Sequence, residues 1–163
     1  MITMRVGQGF DVHRFTDDPA RRMVLGGVEF PGERGLAGHS DADVVAHAVV
    51  DALLGAAGLG DIGQHFPDTD ERWAGADSTG LLRSVVGLVG ERGLTVAHVD
   101  STVVMERPKL APHRDAIRAT LAGALGVTEA QVNVKASTGE GMGFVGRGEG
   151  VAALAVATIR GAS

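Results

Sequence analysis

The run Val151-Ala152-Ala153-Leu154-Ala155-Val156-Ala157-Thr158-Ile159 is apolar on both of the faces that alternate along a β-strand. Such a strand needs cover on both sides of its sheet. Helical periodicity supplies three segments of modest length: Asp43 to Ala57, a second from a cap near Ser78 to about Arg92 with Gly93 closing it, and a third that Pro112 opens and Gly126 stops after Leu125. Three such helices suffice for one face of a sheet, which leaves the other for further copies of the chain. Residues 4–15, Leu94–Met105 and Gln131–Ser137 read as further strands, and Met23–Phe30 as a strand broken by Gly26-Gly27 into a hairpin turn or a bulge. Asp61 to Asp77 reads as a loop holding one short turn of helix. The expected fold is therefore α/β (α+β), one domain over residues 1–163, with a mixed β-sheet and helices packed on one face.

Within the first helix Val44, Val45, Val49, Val50, Leu53 and Leu54 spread around most of the circumference, while Asp43, His47 and Asp51 form one polar line at i, i+4, i+8. A helix buried on most sides cannot hide that line without giving it partners. On the first strand Asp11 and His13 stand two residues apart and share a face. By themselves they fit a strand-end hydrogen-bonding pair as well as a metal site, and His47 alone fits a satisfied core histidine. Together, two imidazoles and a carboxylate make a three-ligand metal site the favoured reading, with one position open as in catalytic zinc sites. Zinc suits this donor set, and manganese or cobalt could occupy it too.

Composition narrows the function classes. The 163 residues contain no cysteine, so disulfides and thiolate metal sites are excluded and any metal must rely on histidine and carboxylate. That absence, with no secretory leader or membrane-spanning run, points to a cytoplasmic protein. The net charge of -5 and the scatter of 15 Lys and Arg argue against nucleic-acid binding. One Trp, five Phe and no Tyr make a poor platform for stacked bases. A small anionic substrate stays open, and the 25 glycines gather around the polar segments as if backbone amides approached a ligand there.

Two further stretches carry polar groups that suit phosphate. Gly38-His39-Ser40-Asp41 reads either as a capped loop, with Ser40, Asp41 or Asp43 at the helix start, or as a phosphate-binding loop in which His39 and Ser40 act with backbone amides; spacing leaves the choice open. Lys135 to Phe144 follows a strand and brings Ser137, Thr138 and Glu140 to its end, where Glu140 would offer the kind of oxygen magnesium uses between phosphates.

These motifs resemble those of the 2-C-methyl-D-erythritol 2,4-cyclodiphosphate synthase family, enzymes of the non-mevalonate isoprenoid pathway. The resemblance rests on Gly9-Phe10-Asp11-Val12-His13, Gly38-His39-Ser40-Asp41-Ala42-Asp43, Gly58-Leu59-Gly60-Asp61-Ile62-Gly63, Phe66-Pro67-Asp68-Thr69-Asp70, Gly75-Ala76-Asp77-Ser78, Val132-Asn133-Val134-Lys135-Ala136 and Gly143 to Gly150. It is collinear from residue 6 to about 159.

The resemblance implies a homotrimer whose sheets pack around a three-fold axis, with active sites in clefts between subunits. The implied reaction is cyclisation of 4-diphosphocytidyl-2-C-methyl-D-erythritol 2-phosphate: the 2-phosphate oxygen attacks the β-phosphorus and CMP departs. Zinc is implied at Asp11, His13 and His47, and magnesium or manganese, bridging the diphosphate, at Glu140. His39 and Ser40 match phosphate-contacting positions, Asp61, Ile62, Gly63 and Asp68 match those holding the methylerythritol part, and His39, Ser40, Thr138 and Glu140 match the catalytic set. Lys109, Leu110, Ala136, Ser137 and Thr138 match a cytidine-diphosphate pocket on the adjacent subunit. Phe144, Arg147 and Glu149 match the lining of a central trimer cavity that can take an isoprenoid diphosphate; a plain strand end with a salt bridge is the other reading. Ala74 stands where lysine is common, and Gly139 and Gly141 replace a usual threonine and lysine, departures that bear on substrate affinity and loop rigidity. A zinc phosphohydrolase and a non-catalytic isoprenoid-diphosphate-binding trimer are the competing functions; the intact metal-ligand residues speak against the second.

Overall fold

The computed structural model of the chain describes residues 2–162. Strand β1 (Ile2–Arg14) pairs antiparallel with β6 (Gly150–Ala162), which pairs antiparallel with β4 (Leu94–Val104), and β4 runs parallel to β5 (Val132–Ser137). The result is a mixed four-stranded sheet in the order β1-β6-β4-β5. Its two parallel neighbours are joined through α4 (Arg114–Leu125), the long crossover that parallel pairing requires. Helices α1 (Val44–Ala57), α3 (Ser78–Glu91) and α4 pack on one face, α1 over β1 and β6, α3 beside it against β4, and α4 against β5. The core forms there, with Val49, Leu53, Leu82, Val99, Val103, Val151 and Ile159 all buried.

Backbone chemistry sets the local details. Gly26 and Gly27 join β2 (Val24–Leu25) to β3 (Val28–Glu29) with φ of 57° and 75°, the left-handed pair that a two-residue hairpin turn needs. Their N–H groups donate to Asp43 at 2.7 and 2.6 Å, and the same carboxylate accepts from Val45 N and Ala46 N as the N-cap of α1. Asp43 thus fastens the hairpin to the helix, and among the acidic and hydroxyl candidates for this cap it is the one used. Burial pushes its carboxyl up to about 6, against the pull of the bonds from Ala46, Gly27 and Gly26. The second helix is capped by Asp77, one residue before Ser78, because the Asp77 side chain accepts from Thr79 N at 3.0 Å. Pro112 falls in a 3-10 turn, Ala111–His113, immediately before α4. The 61–77 stretch holds two short helical pieces where one was expected: α2 (Ile62–His65) and a 3-10 turn at Glu71–Trp73. A further short helix, α5 (Gly143–Gly146), interrupts the loop before β6.

The other face of the sheet is open, as the apolar closing strand led one to expect. Met4, Val6, Phe10 and Val12 of β1 and Leu154 and Val156 of β6 form an exposed apolar strip. Beside it, on β4 and β5, the same face turns polar: Lys135 Nζ and Asn133 Nδ2 donate to Asp100 at 2.6 and 2.9 Å.

Candidate active site

Along β1 the residues facing the helices are Gly7, Gly9, Asp11 and His13. The two glycines let α1 lie directly on the strand: a Cβ on Gly9 would stand 1.8 Å from the Ala48 carbonyl oxygen, and one on Gly7 2.0 Å from that of Ala52. These glycines serve a helix rather than a ligand, unlike the role the polar-segment glycines suggested. Further along the same strand, Asp11 and His13 therefore meet His47 of α1. Asp11 Oδ2 lies 2.9 Å from His13 Nε2 and 3.0 Å from His47 Nδ1, and the two ring nitrogens are 3.2 Å apart. The edge of a tetrahedron with zinc–ligand bonds of 2.0–2.1 Å is about 3.3 Å, so the three atoms are spaced as one small cation requires.

The far sides of both rings settle which nitrogens can ligate. His13 Nδ1 is 2.7 Å from the Ala37 carbonyl, which can only accept, so Nδ1 carries the hydrogen and Nε2 turns its lone pair toward Asp11 and His47. His47 Nε2 points into the protein, 2.8 Å from Ser78 Oγ and 3.1 Å from Ser40 Oγ. The donor set, its convergence and the partners behind both rings fit a divalent metal; among the described residues this is the one cluster of its kind. Burial pushes the Asp11 carboxyl up, but hydrogen bonds and charge from His13 and His47 outweigh it and hold the group at about 2. For His13, burial pulls the ring down, and the Asp11 carboxylate and the Ala37 carbonyl raise it above 6.5.

A cavity of about 450 Å³ opens over these three residues. His39 and Ser40 form one wall, and Ile62, Gly63 and Asp68 another. Asp61 is not on that wall: it caps α2, accepting from Gln64 N at 3.1 Å. Asp51, the last of the polar line on α1, accepts from Ile62 N at 2.7 Å and so anchors the wall to the helix. The structure adds Phe66 and Trp73, whose rings meet edge to face at 5.0 Å along the same cavity. The sequence held a faint signal for them, since Trp73 is the one tryptophan of the chain and sits in a polar loop. Loop 38–41 is fastened to the segment that follows the 3-10 turn by Gly75 N to His39 O at 2.8 Å and Asp41 N to Ala76 O at 3.1 Å.

The remaining candidates gather elsewhere. Lys109, Leu110, Ala136, Ser137, Thr138 and Glu140 line a second cavity of about 370 Å³ that shares no residue with the first. Its loop is shaped by Glu106, whose Oε1 accepts from Gly139 N at 2.6 Å. Glu140 has a φ of 52°, and its Oε1 accepts from Thr138 Oγ1 at 2.8 Å. A Cβ on Gly139 would lie 2.9 Å from Gly146 N, so a larger side chain there needs a different loop path. Ala74 ends the 3-10 turn near the first cavity. Phe144, Arg147 and Glu149 lie at α5 and just beyond it, exposed, and Arg147 Nε donates to Glu149 Oε1 at 2.7 Å.

Known proteins resemble this chain over nearly its whole length. Residues 4–160 match the model of the YgbB family. A 2-C-methyl-D-erythritol 2,4-cyclodiphosphate synthase of Symbiobacterium thermophilum is 60% identical over 158 residues, covering 97% of this chain and 99% of the relative. A bifunctional enzyme IspD/IspF of Anaeromyxobacter dehalogenans is 63% identical over 153 residues, and there this chain spans 39% of the relative's length. Among solved structures, the bifunctional IspDF of Campylobacter jejuni superposes with a TM-score of 0.94 at 40% identity, covering 100% of this chain and 44% of that one. A CDP complex of IspF from Plasmodium falciparum superposes with a TM-score of 0.85 at 30% identity, covering 98% and 97%.

Proposed function

The chain belongs to the YgbB family, and from that premise we propose that it cyclises 4-diphosphocytidyl-2-C-methyl-D-erythritol 2-phosphate to 2-C-methyl-D-erythritol 2,4-cyclodiphosphate with release of CMP. It is then a phosphorus-oxygen lyase of isoprenoid precursor synthesis, acting in the cytoplasm on a small molecule. The observation that carries this reading is the convergence of Asp11 Oδ2, His13 Nε2 and His47 Nδ1 at the floor of a cavity walled by phosphate-competent groups.

The bond that forms joins the 2-phosphate oxygen to the β-phosphorus, and the bond that breaks frees CMP; a phosphate anion attacks, so no protein nucleophile is needed. The barrier lies in bringing two anions together and in aligning them. Zinc held by Asp11, His13 and His47, with magnesium or manganese at Glu140, would supply the cationic charge that neutralises them. The chain's own residues then position: His39 and Ser40 hold phosphate oxygens, Ile62, Gly63 and Asp68 hold the methylerythritol part with Asp61 fixing their turn, and Thr138 steadies Glu140. Lys109, Leu110, Ala136, Ser137 and Thr138 receive the cytidine diphosphate, Lys109 adding positive charge.

We further infer that the enzyme is a homotrimer in which the two cavities of neighbouring subunits face each other. Two observations favour this: the half-sites share no residue within one chain, and the sheet leaves an apolar strip of six large side chains exposed. An isoprenoid diphosphate bound near Phe144, Arg147 and Glu149 would sit at that axis. No helix among the described residues is long and apolar enough to cross a membrane. The direct test incubates the purified chain with the cytidylyl substrate, zinc and magnesium. CMP together with the cyclic diphosphate is the expected product pair; inorganic phosphate without a ring would replace this reading by a phosphohydrolase.

A further inference from the structure

We propose that Asp41 and Ser78 are positioning residues for the metal centre, acting on His47 through the ring nitrogen that faces away from the metal. The inference rests on the metal reading above and assigns a purpose to the two motif residues that reading leaves without one.

The hydrogen-bond directions leave one assignment. The Asp41 carboxylate is an acceptor only. Its Oδ1 takes the hydroxyl hydrogen of Ser78 and the backbone N–H of Asp43 at 3.1 Å, and its Oδ2 takes the backbone N–H of Ser78 at 3.0 Å. With its own hydrogen committed to Asp41, Ser78 Oγ can only accept from His47 Nε2, 2.8 Å away. That makes Nε2 the protonated nitrogen and leaves the Nδ1 lone pair directed at Asp11 and His13. A hydrogen bond that ends in a carboxylate also makes the ligating nitrogen more basic. His13 has a neutral carbonyl in the same place, so the two imidazoles are supported unequally, and His47 by the stronger arrangement.

Placement supports the role. Ser78 is 0% exposed and lines no part of the cavity, so it cannot touch a substrate. Ser40, the other hydroxyl near Nε2, is farther away at 3.1 Å and does line the cavity. With Ser78 taking the single Nε2 hydrogen, the Ser40 hydroxyl is left for a ligand. Asp41 and Ser78 are 37 residues apart; Asp41 lies two residues before the aspartate that caps α1 and Ser78 directly after the one that caps α3, where each passes for part of the cap.

The test measures zinc affinity of the full chain by competition with a chromogenic chelator, in wild type, Ser78→Ala, Asp41→Asn, the double variant and His47→Ala. Ser78→Ala should bind zinc about 10–100-fold more weakly, the usual loss when such a partner is removed. Asp41→Asn should lose less, and the double variant should be no weaker than Ser78→Ala, because Asp41 acts through Ser78. The cobalt-loaded variants should show a changed ligand-field absorption, which a purely structural role would not produce. Thermal unfolding of the metal-free forms reports on folding, and if Ser78→Ala fails to fold, Asp41→Asn carries the same reading with the hydroxyl in place. Zinc affinity within about twofold of wild type in the folded variants, or additive losses in the double variant, overturns the proposal. If His47→Ala itself keeps full zinc affinity, the metal assignment fails instead, and the two failures are told apart.

Discussion

The cavity over Asp11 and the cavity beside Thr138 are held by different means. In the first, a strand and a helix press backbone against backbone at Gly7 and Gly9, so three ligand atoms converge to within 3.2 Å of one another. In the second, the groups sit at the end of β5 and on the loops after β4 and β5, and Glu140 is an exposed side chain on a left-handed backbone with Thr138 as its hydrogen-bond partner. The contrast teaches that one half of the proposed site is set by packed backbone, while the other rests on exposed groups that the proposed substrate and neighbouring subunit would complete.

The largest expected effect separates the halves by metal content. His13→Ala and His47→Ala should each lower turnover by about 1,000-fold or more, the several kcal/mol that a metal supplies, and should lose bound zinc. Glu140→Gln should lose activity while keeping zinc at wild-type stoichiometry. Elemental analysis paired with CMP release reads both, and full zinc in either histidine variant would dissolve the distinction.

Mixing asks whether the halves belong to different subunits. His13→Ala chains co-refolded with equal amounts of Thr138→Arg chains should recover up to about a quarter of wild-type activity, because one cleft in four draws both intact halves. Each variant alone should stay inactive. Complete failure despite mixed trimers detected by mass spectrometry, or sedimentation of an active monomer, would break the shared-site model.

Preorganisation of the first half has a smaller, measurable cost when disturbed. Gly9→Ala places a methyl 1.8 Å from the Ala48 carbonyl and must push α1 off β1. A destabilisation of about 1–3 kcal/mol is expected in denaturant unfolding, with weaker zinc binding because His47 moves with the helix. Unchanged zinc affinity in a destabilised variant would mean that the strand–helix approach does not set the ligand spacing.

The same difference explains what could be read in advance. Asp11 and His13 were legible because a strand puts i and i+2 on one face, and His47 because a mostly buried helix cannot leave its polar line without partners. The apolar closing strand foretold the uncovered sheet face. Asp41 and Ser78 were hidden because each resembles a helix cap, and only tertiary folding brings their side chains together. Family likeness assigns Asp61 to the methylerythritol part, and the structure adds what sequence cannot show, that its carboxylate accepts from Gln64 as the cap of α2. The turn at Glu71–Trp73 and α5 were missed because such short pieces carry too few residues for periodicity to register.

The smallest effect concerns pH and follows from opposite signs in the metal-free and metal-bound states. In the metal-free chain burial lowers His13, but Asp11 and the Ala37 carbonyl raise it above its ordinary 6.5, so its stabilising contribution is fully present below 6.5 and is lost as pH rises through the raised value. Burial raises Asp11, but the two histidines hold it at about 2, so its contribution is present above 3.8 and lost as pH falls toward 2. The pair therefore contributes most between pH 3.8 and 6.5. Zinc reverses the upper limb, because ligation needs His13 Nε2 unprotonated and binding strengthens as pH rises through the same value. Metal-free Tm should thus fall between pH 6 and pH 8 while the Tm increment from added zinc grows, by about 2–4 °C for each kcal/mol in a chain of this size. In His13→Ala both trends should flatten, and in Glu140→Gln both should persist. A zinc increment that shrinks toward pH 8 in the wild type would show that protons and metal do not compete for His13.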